Sequence, residues 1–248
     1  MNNLCIIQAR MGSSRLPGKM LMRLGEFTVI EYLLKRLVRS KKIDKIVVAT
    51  TDQKTDDSLV DLLQKNKVEF FRGSENDVLD RYYQSALGFP EFDTIIRITG
   101  DCPLMDPEIV DQVISFFENG DYDYVNNVDP EPTFPDGMDV EVFSRNALIQ
   151  AAVNATKKSD REHVTLYIRN NELFKKGFVS SDIDYSGYRL TLDEPLDLEV
   201  IRHLVNNLPP DSNFKDYLEF LDANPEYQKN NIIRRNEGLE ISLKNDLI

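Results

Sequence analysis

The amino-terminal stretch of the chain is LCIIQARMGSSRLPGK, residues 4–19. Its first part, up to Gln8, is an apolar run with the length of a buried strand. The rest is a loop that contains two glycines, Gly12 and Gly18, and a proline. Open α/β folds bind ligands beyond the carboxyl ends of their strands, and this loop directly follows the first strand. The stretch therefore predicts an α/β fold with a ligand-binding loop at the start of the chain.

Strand-like and helix-like patterns alternate along the rest of the chain, which is typical of βαβ units and a largely parallel sheet. Ser159 and Glu162 have the spacing of a capping box and predict one continuous helix through Ile168. The chain beyond about Pro209 reads as a helical appendage and tail. The predicted strands are residues 45–50, 68–71, 94–99, 138–143, 177–180 and 188–192, and the predicted helices are about 28–38, 56–66, 77–87, 107–117, 146–156 and the segment from Pro195.

The loop after the first strand is basic in an otherwise acidic chain. The net charge is −12, yet Arg10, Arg15, Lys19 and Arg23 all precede the first acidic residue, Glu26. Glycines let a backbone approach phosphates closely, and Arg and Lys supply charged donors. This pattern predicts a site for a small polyanion such as a triphosphate, with a solvated basic surface loop as the alternative.

Two better-known glycine motifs do not fit this loop. A Walker A loop needs four residues between its glycines and Ser or Thr after the Lys, whereas here five residues separate Gly12 from Gly18 and Met20 follows Lys19. The G-x-G-x-x-G fingerprint of dinucleotide-binding folds is also missing from the loop. The loop therefore predicts a different kind of nucleotide site.

Composition excludes several other classes of protein. A net charge of −12 argues against a nucleic-acid-binding surface, which needs an excess of Lys and Arg. No apolar stretch approaches the length of a membrane span and no signal peptide is recognisable, so we expect a soluble, cytoplasmic protein. Cys5 and Cys102 lie far apart and the chain has two histidines, so disulfide frameworks and zinc sites are not expected.

Two aspartates follow predicted strands. Asp101 comes after strand 94–99 and Asp193 after strand 188–192, so both carboxylates should emerge at the same sheet edge as the basic loop. Mg²⁺ prefers carboxylate and phosphate oxygens, and two carboxylates plus two phosphate oxygens make a suitable site. Structural roles are the alternative, with Asp101 in a turn and Asp193 at the start of the helix at Pro195.

Six motifs are spread along most of the chain. They are QARMGSSRLPGK at 8–19, RGSENDVL at 72–79, ITGDCPL at 98–104, FPDGMDVE at 134–141, DREHVT at 160–165 and TLDEPLDL at 191–198. Together they resemble the cytidylyltransferases that activate sialic acid and 3-deoxy-manno-octulosonate, and especially their spore-coat polysaccharide biosynthesis branch. The resemblance covers roughly residues 4–201 and leaves the tail unexplained.

The resemblance implies a fold and an architecture. It implies a three-layer α/β/α sandwich of nucleotide-diphosphosugar-transferase type, with a mostly parallel, mixed sheet and a small dimerisation arm. We expect a nucleotidyltransferase domain over residues 1–208, with the arm within about 128–182, and an appendage over 209–248. The arm implies a homodimer.

The resemblance also implies functional residues. Arg10, Arg15 and Lys19 would contact phosphates and act in catalysis with Asp101, and Asp101 and Asp193 would hold Mg²⁺. The remaining nucleotide-binding candidates are Ala9, Gly12, Ser13, Arg72, Ser74 and Asp77, of which Ser74 and Asp77 could instead cap a helix. Positions at a strand end, near the proline-rich loop and early in a helix give the candidates for binding the acceptor, which are Asn126, Asn127, Asp139, Glu141, Arg161 and His163, with packing as the alternative role of His163.

The function implied is transfer of CMP from CTP to a sugar or sugar acid, with release of pyrophosphate, in surface polysaccharide or glycan biosynthesis. A glycosyltransferase of related fold, which uses a nucleotide sugar, is one alternative. Three cations in the first loop suit a triphosphate better than the two phosphates of a sugar nucleotide. A nucleotide-binding protein without turnover is the other alternative. Neither nucleic acid nor membrane is expected as a partner.

Overall fold

A computed structural model describes residues 2–235 and 237–246. The strands are β1 (Asn3–Gln8), β2 (Arg23–Leu24), β3 (Phe27–Thr28), β4 (Lys45–Thr51), β5 (Glu69–Gly73), β6 (Thr94–Thr99), β7 (Tyr124–Asn126), β8 (Glu141–Ser144) and β9 (Lys176–Phe178). The helices are α1 (Val29–Leu37), α2 (Asp57–Lys65), α3 (Val78–Leu87), α4 (Pro107–Glu118), α5 (Arg145–Asn154), α6 (Lys158–Glu162), α7 (Leu166–Asn170), α8 (Pro195–Asn207), α9 (Phe214–Ala223) and α10 (Glu237–Asn245).

A seven-stranded sheet in the order β5-β4-β1-β6-β8-β7-β9 forms the centre of the fold. β1, β4, β5 and β6 pair in parallel, and β8 runs antiparallel to both of its neighbours. β2 and β3 form a separate two-stranded sheet. The predicted α/β fold with a mostly parallel, mixed sheet is confirmed.

Helices cover both faces of the sheet because successive strand residues point to opposite sides. In β1, Cys5 and Ile7 pack in one buried cluster, whereas Leu4 and Ile6 pack in another. The first cluster includes apolar side chains of α1, α2, α4, α8 and α9, and the second includes those of α3, α5 and α7. This is the predicted three-layer arrangement.

Two glycines allow loops at the carboxyl end of the sheet to pack closely. A Cβ on Gly100, which follows β6, would lie 2.9 Å from Met20 Sδ and 3.0 Å from Gln8 O, so only glycine fits against the β1 loop. Gly137 has φ +100° and a Cβ there would lie 2.6 Å from the Leu190 carbonyl carbon. These contacts bring the β1 loop, the end of β6, the loop before β8 and the segment before α8 to one edge.

Three local predictions are wrong. Residues 188–192 do not form a strand, since only Arg189 makes an isolated bridge, to Asp136. The helix predicted from Ser159 to Ile168 is two short helices, α6 and α7, separated at Val164, which has φ +58°. The predicted capping box is absent, because Lys157 precedes α6 without a side-chain cap. The Ser159 hydroxyl instead donates to Asp246.

The chain beyond residue 208 packs on the rest of the molecule. Phe214, Tyr217, Leu218 and Leu221 of α9 belong to the first buried cluster. The division into a domain over 1–208, an arm and an appendage stays a prediction. Across residues 2–235 and 237–246, none of the helices has the length and apolar character needed to cross a bilayer.

Candidate nucleotide and acceptor site

A cleft of about 1010 Å³ lies at the carboxyl edge of the sheet. Its walls come from the β1 loop, the start of α3, the turn after β6 and the loop before β8. The α6–α7 break, the segment before α8 and the segment after α9 complete the walls. The predicted site residues that line it are Ala9, Arg10, Ser13, Arg15, Lys19, Asp77, Asp101, Asp139, Glu141, Arg161, His163 and Asp193. Residues from distant parts of the sequence therefore meet in one cleft.

The side chain of Lys19 joins the two predicted metal ligands. Its Nζ donates to Asp101 Oδ2 at 3.1 Å, to Asp193 Oδ1 at 2.9 Å and to the carbonyl oxygen of Leu192 at 2.8 Å. Lys19 is 7% exposed, so this ammonium is held by oxygen atoms in a buried position. The two carboxylates therefore converge on a single cation.

The pKa values of this cluster reflect burial and charge pairing. Burial alone would lower the pKa of Lys19, but the carboxylates of Asp101 and Asp193 raise it above its ordinary value. Burial alone would raise the pKa of Asp101, but Lys19 and the Thr99 hydroxyl lower it below its ordinary value. The cluster is therefore charged at neutral pH, with Asp101 as carboxylate and Lys19 as ammonium.

The donor set fits a divalent cation that is shared with phosphate. Asp101 and Asp193 supply hard oxygen ligands, and both already reach one point charge within 3.1 Å. Within residues 2–235 and 237–246, no group of three or more His, Cys, Asp or Glu side chains could hold a metal ion. Two carboxylates suit Mg²⁺, which is usually held by one or two carboxylates, substrate phosphates and water.

The two arginines of the β1 loop lie at the mouth of the cleft. Arg15 pairs with Asp193 Oδ2 at 3.1 Å and with Glu194 Oε1 at 3.4 Å, and its side chain is 39% exposed. Arg10 pairs with Glu75 Oε1 at 3.1 Å. Exposed pairs of this kind contribute little to stability, so both guanidinium groups can exchange these partners for an anionic ligand at small cost.

The β5–α3 segment places only part of its predicted residues in the cleft. Asp77 caps α3 by accepting from Asp80 N at 2.9 Å, and Arg161 donates to both Asp77 oxygens at 2.9 and 3.0 Å. Ser74 and Arg72 lie outside the cleft lining. The Arg72 guanidinium donates to the carbonyl oxygens of Thr51 and Gln53.

Glu141 lies at the bottom of the cleft in a buried network. It accepts from Arg97, Tyr124 and Thr165. Burial would raise the pKa of Glu141, but Arg97, Arg169 and these hydrogen bonds lower it below its ordinary value. Glu141 is therefore a fixed carboxylate whose oxygens are shared among protein donors.

His163 faces the cleft at the break between α6 and α7. Its Nε2 is buried and has no hydrogen-bond partner. Burial lowers the pKa of His163 below its ordinary value, so its imidazole is neutral at pH 7. The following residue, Val164, has φ +58°, a conformation that costs energy for a β-branched residue and tends to occur at functional sites.

Three other predicted residues lie outside the cleft lining. Asn126 Oδ1 accepts from Val128 N and Asp129 N, both at 2.7 Å. Asn127 bonds to Met138 O and Val140 N at 2.7 and 2.8 Å. Both side chains hold the loop before β8 in place. Gly12 belongs to the β1 loop, and a Cβ there would lie 3.3 Å from Glu75 Oε1.

Sequence reasoning missed charged residues that line the cleft or contact its lining. Arg189 is 6% exposed and pairs with Asp136 at 2.6 Å, with Asp197 at 2.9 Å and with Asp193 at 3.6 Å. Arg235, far along the chain, pairs with Asp139 at 2.5 Å. Arg189 had a usable signal, since it is a cation inside the otherwise apolar and uncharged run 188–192.

Comparison with known proteins agrees with this geometry. The chain is 38% identical over 235 residues to the spore coat polysaccharide biosynthesis protein SpsF of Bacillus subtilis, which covers 90% of this chain and 95% of that protein. It is 29% identical over 211 residues to a 3-deoxy-manno-octulosonate cytidylyltransferase of Chlamydia trachomatis, covering 80% of each chain.

A solved cytidylyltransferase structure from Leptospira borgpetersenii superposes with a TM-score of 0.88 at 35% identity. The superposition covers 95% of this chain and all of the other. The family model for cytidylyltransferases matches residues 4–238, which include the basic loop, both aspartates and Arg235. Sequence, fold and cleft thus agree that this chain belongs to the cytidylyltransferase family of nucleotidyltransferases.

Proposed function

We propose that this protein transfers CMP from CTP to a hydroxyl group of a sugar acid and releases pyrophosphate, in a pathway that makes a surface polysaccharide or glycan. Family membership supports the use of CTP. The acceptor class is supported by the relatives, one of which is named for 3-deoxy-manno-octulosonate and another for spore coat polysaccharide. We place this reaction in the cytoplasm, where nucleoside triphosphates are made.

The observation that carries the proposal is the position of Lys19 between Asp101 and Asp193. The ammonium lies 3.1 and 2.9 Å from the two carboxylates, at the carboxyl edge of the sheet. Arg15 reaches the same aspartate, Asp193, from the mouth of the cleft. One buried and one exposed cation next to two carboxylates can accept both a metal ion and the phosphates that accompany it.

We assign the nucleotide to the half of the cleft formed by the β1 loop and the start of α3. Arg10, Arg15 and Lys19 would bind the triphosphate through charge-assisted hydrogen bonds. The backbone of Ala9, Gly12 and Ser13 would approach it closely, and Asp77 would lie near the ribose and base. Ser74 and Arg72 lie behind this surface, and we retain them only as groups that support the β5–α3 loop.

The metal in this proposal is Mg²⁺, held by Asp101 and Asp193. When bound, it would supply charge stabilisation for the triphosphate and the leaving pyrophosphate. Lys19 and Arg15 would then turn from the carboxylates toward phosphate oxygens. They would stabilise the charge that develops during in-line attack on the α-phosphorus. No covalent protein intermediate is needed.

We assign the acceptor to the other half, which consists of the loop before β8, the α6–α7 break and the C-terminal segment. Asp139, Arg161 and His163 line this half, and Glu141 lies at its floor. The neutral imidazole of His163 lines this half, and its buried Nε2 has no protein hydrogen-bond partner among the described residues. Asn126 and Asn127 would act indirectly, by holding the loop that carries Asp139.

We also propose that the protein is a homodimer formed through the arm. Val153 of α5 is 72% exposed and Leu173, just after α7, is 81% exposed, so this region presents apolar side chains to solvent. α5 packs against α7, which places both elements on one side of the arm. Measurement of the molar mass in solution for the wild type and for Val153→Glu tests this assignment.

Pyrophosphate release tests the function directly. The purified protein is given Mg²⁺, one of CTP, ATP, GTP or UTP, and one of a panel of sugar acids that includes 3-deoxy-manno-octulosonate and N-acetylneuraminate. We expect release only with CTP and at least one acceptor. Release that needs a nucleotide sugar instead of CTP would support a glycosyltransferase. CTP binding without any release would support a protein that only binds nucleotide.

A further inference from the structure

The C-terminal segment, described over residues 228–235 and 237–246, lies against the acceptor half of the cleft. Asn230 is 1% exposed, and its amide nitrogen donates to Arg189 O at 3.1 Å and to Asp197 Oδ1 at 2.8 Å. Near the end of the chain, the Ser242 hydroxyl donates to Glu162 at 2.7 Å, and Asp246 accepts from Ser159 N at 3.1 Å. The segment is therefore attached to the chain before α8 and to α6.

Between these attachments the segment brings a cation, Arg235, to two carboxylates that line the cleft, Asp136 and Asp139. Arg235 Nη2 lies 2.5 Å from Asp139 Oδ1, and its Nε lies 3.7 Å from Asp136 Oδ1. Its Nη1 donates to Phe134 O at 3.4 Å. The side chain of Arg235 is 17% exposed, so this guanidinium is largely buried against the two aspartates that line the cleft.

Arg235 completes a chain of alternating charges that begins at Asp101. Lys19 connects Asp101 to Asp193, and Arg189 connects Asp193 to Asp136 at 3.6 and 2.6 Å. Arg235 then connects Asp136 to Asp139. The proposed metal ligands and the acceptor-side carboxylate are thereby joined through three cations. The last of these cations comes from the tail.

We propose that Arg235 is a positioning residue, held against the cleft wall by the C-terminal segment, that fixes the carboxylate of Asp139 to accept a hydrogen bond from a hydroxyl of the acceptor sugar. This inference rests on the proposed function, since it assigns a role within the same site. It also gives a function to the tail, which lies outside the family motifs in residues 4–201.

The electrostatics around Asp139 show why a fixed cation is needed there. The pKa of Asp139 is raised to about 7, with burial as the largest cause and Arg235 on the C-terminal segment acting in the opposite direction. Asp136 on the same loop, Glu141 on β8 and Asp101 after β6 each raise it further. Without Arg235, three carboxylates and burial would all favour the protonated form, which has lost its charge.

The test compares four full-length proteins: wild type, Arg235→Ala, Arg235→Lys and the control Lys229→Ala. Lys229 belongs to the same segment, but its side chain is 56% exposed and its pairing distance to Glu199 is 3.9 Å. Pyrophosphate release is measured with saturating CTP and Mg²⁺ and varied 3-deoxy-manno-octulosonate, or whichever sugar acid the wild type uses. Affinity for CTP with Mg²⁺ is measured separately by calorimetry.

We expect Arg235→Ala to raise KM for the acceptor about tenfold while the Kd for CTP stays within about twofold, which a general loss of structure would not produce. In the pH profile of kcat/KM for the acceptor, the acid limb should move to higher pH in Arg235→Ala, because Asp139 then needs a higher pH to ionise. Arg235→Lys should restore part of the effect, and Lys229→Ala should behave as wild type.

Two results would overturn this inference and leave the proposed function standing. One is an unchanged acceptor KM and pH profile in Arg235→Ala, and the other is an equal loss of CTP affinity, which would indicate a structural role. If Arg235→Ala does not fold, Arg235→Lys is judged by the same criteria. Lysine keeps the positive charge but lacks the guanidinium that contacts both Asp136 and Asp139. A wild type that turns over no sugar acid would instead overturn the proposed function and this inference with it.

Discussion

Lys19 Nζ lies 2.9 Å from Asp193 Oδ1, although the two residues are 174 positions apart in the sequence. The contact ties the loop after β1 to the start of α8. The same nitrogen also reaches Asp101 after β6. A cation that is held by both carboxylates shows that they are close enough to share a charge, and this is the main geometric support for a metal site.

The first prediction concerns Lys19→Met, which keeps the length of the side chain but removes its charge. Asp101 and Asp193 both lose their contact with Lys19, although Asp193 keeps Arg15 and Arg189, so we expect a loss of about 2 kcal/mol in the free energy of unfolding without divalent cation. That corresponds to a decrease of about 4–8 °C in Tm. Mg²⁺ should then raise the Tm of Lys19→Met more than that of the wild type, because it replaces the missing charge.

Differential scanning fluorimetry in EDTA and in Mg²⁺ measures both effects. Lys65→Met, on the exposed surface of α2, is the matched control and should show the wild-type response. An equal Mg²⁺-induced change in Tm for Lys19→Met and wild type would argue against a shared metal site.

The second prediction concerns Arg15→Ala. Arg15 is 39% exposed and its partners are Asp193 and Glu194, so its removal should change stability little. Loss of a charge-assisted phosphate contact should weaken CTP binding by about 1.5 to 3 kcal/mol, or roughly 10- to 150-fold. Calorimetry with CTP and Mg²⁺ measures the affinity.

Arg23→Ala is the control for Arg15, since Arg23 belongs to the same basic stretch but donates to the Glu26 carbonyl oxygen and does not line the cleft. A lower Tm with unchanged CTP affinity in Arg15→Ala would indicate a structural role for this arginine.

The sequence could predict structural features that depend on residues close together in the chain. It could not predict features that depend on contacts between distant segments. Strands β1, β4, β5 and β6 and the helices up to α4 follow from apolar periodicity, which needs no knowledge of distant residues, whereas the short strands β2 and β3 were not predicted. The capping box at Ser159 failed because its hydroxyl donates to Asp246 and Glu162 accepts from Ser242. Contacts with the tail thus replaced a local motif.

The same distinction between local features and long-range contacts explains which charged residues of the site were predicted and which were missed. The β1 loop and Asp101 follow strands that can be read from sequence, whereas Asp193 lies at the same edge although residues 188–192 form no strand. The partners of Arg189 come partly from the loop before β8, and those of Arg235 come from that loop alone. Pairing over such separations is decided by the packed fold, so a single sequence could show that Arg189 is unusual but not what it binds.

The third prediction uses the pH dependence of stability. The pKa of Asp139 is raised from 3.8 to about 7, so the folded state holds a proton that the unfolded state releases. Stability from this group is therefore fully present below about pH 4 and decreases as the pH rises toward 7. Asp139→Asn cannot ionise, so its stability relative to the wild type should improve between pH 4 and 8.

Urea unfolding at several pH values measures this difference, with Asp121→Asn as control. Asp121 has a side chain that is 91% exposed, so its substitution should give a constant difference. A constant difference for Asp139→Asn would contradict the raised pKa of Asp139.

The last prediction treats Asp101 and Asp193 as one unit. Asn keeps the size of Asp but removes its charge, so Asp101→Asn and Asp193→Asn should each fold and lose most Mg²⁺-dependent turnover. If both carboxylates hold one ion, the double variant should be scarcely worse than either single variant, because residues that act together are strongly non-additive. Independent structural roles would instead multiply the losses. Pyrophosphate release with Mg²⁺ titrated for all four proteins separates these cases, and normal turnover with normal Mg²⁺ dependence in a single variant would remove that aspartate from the site.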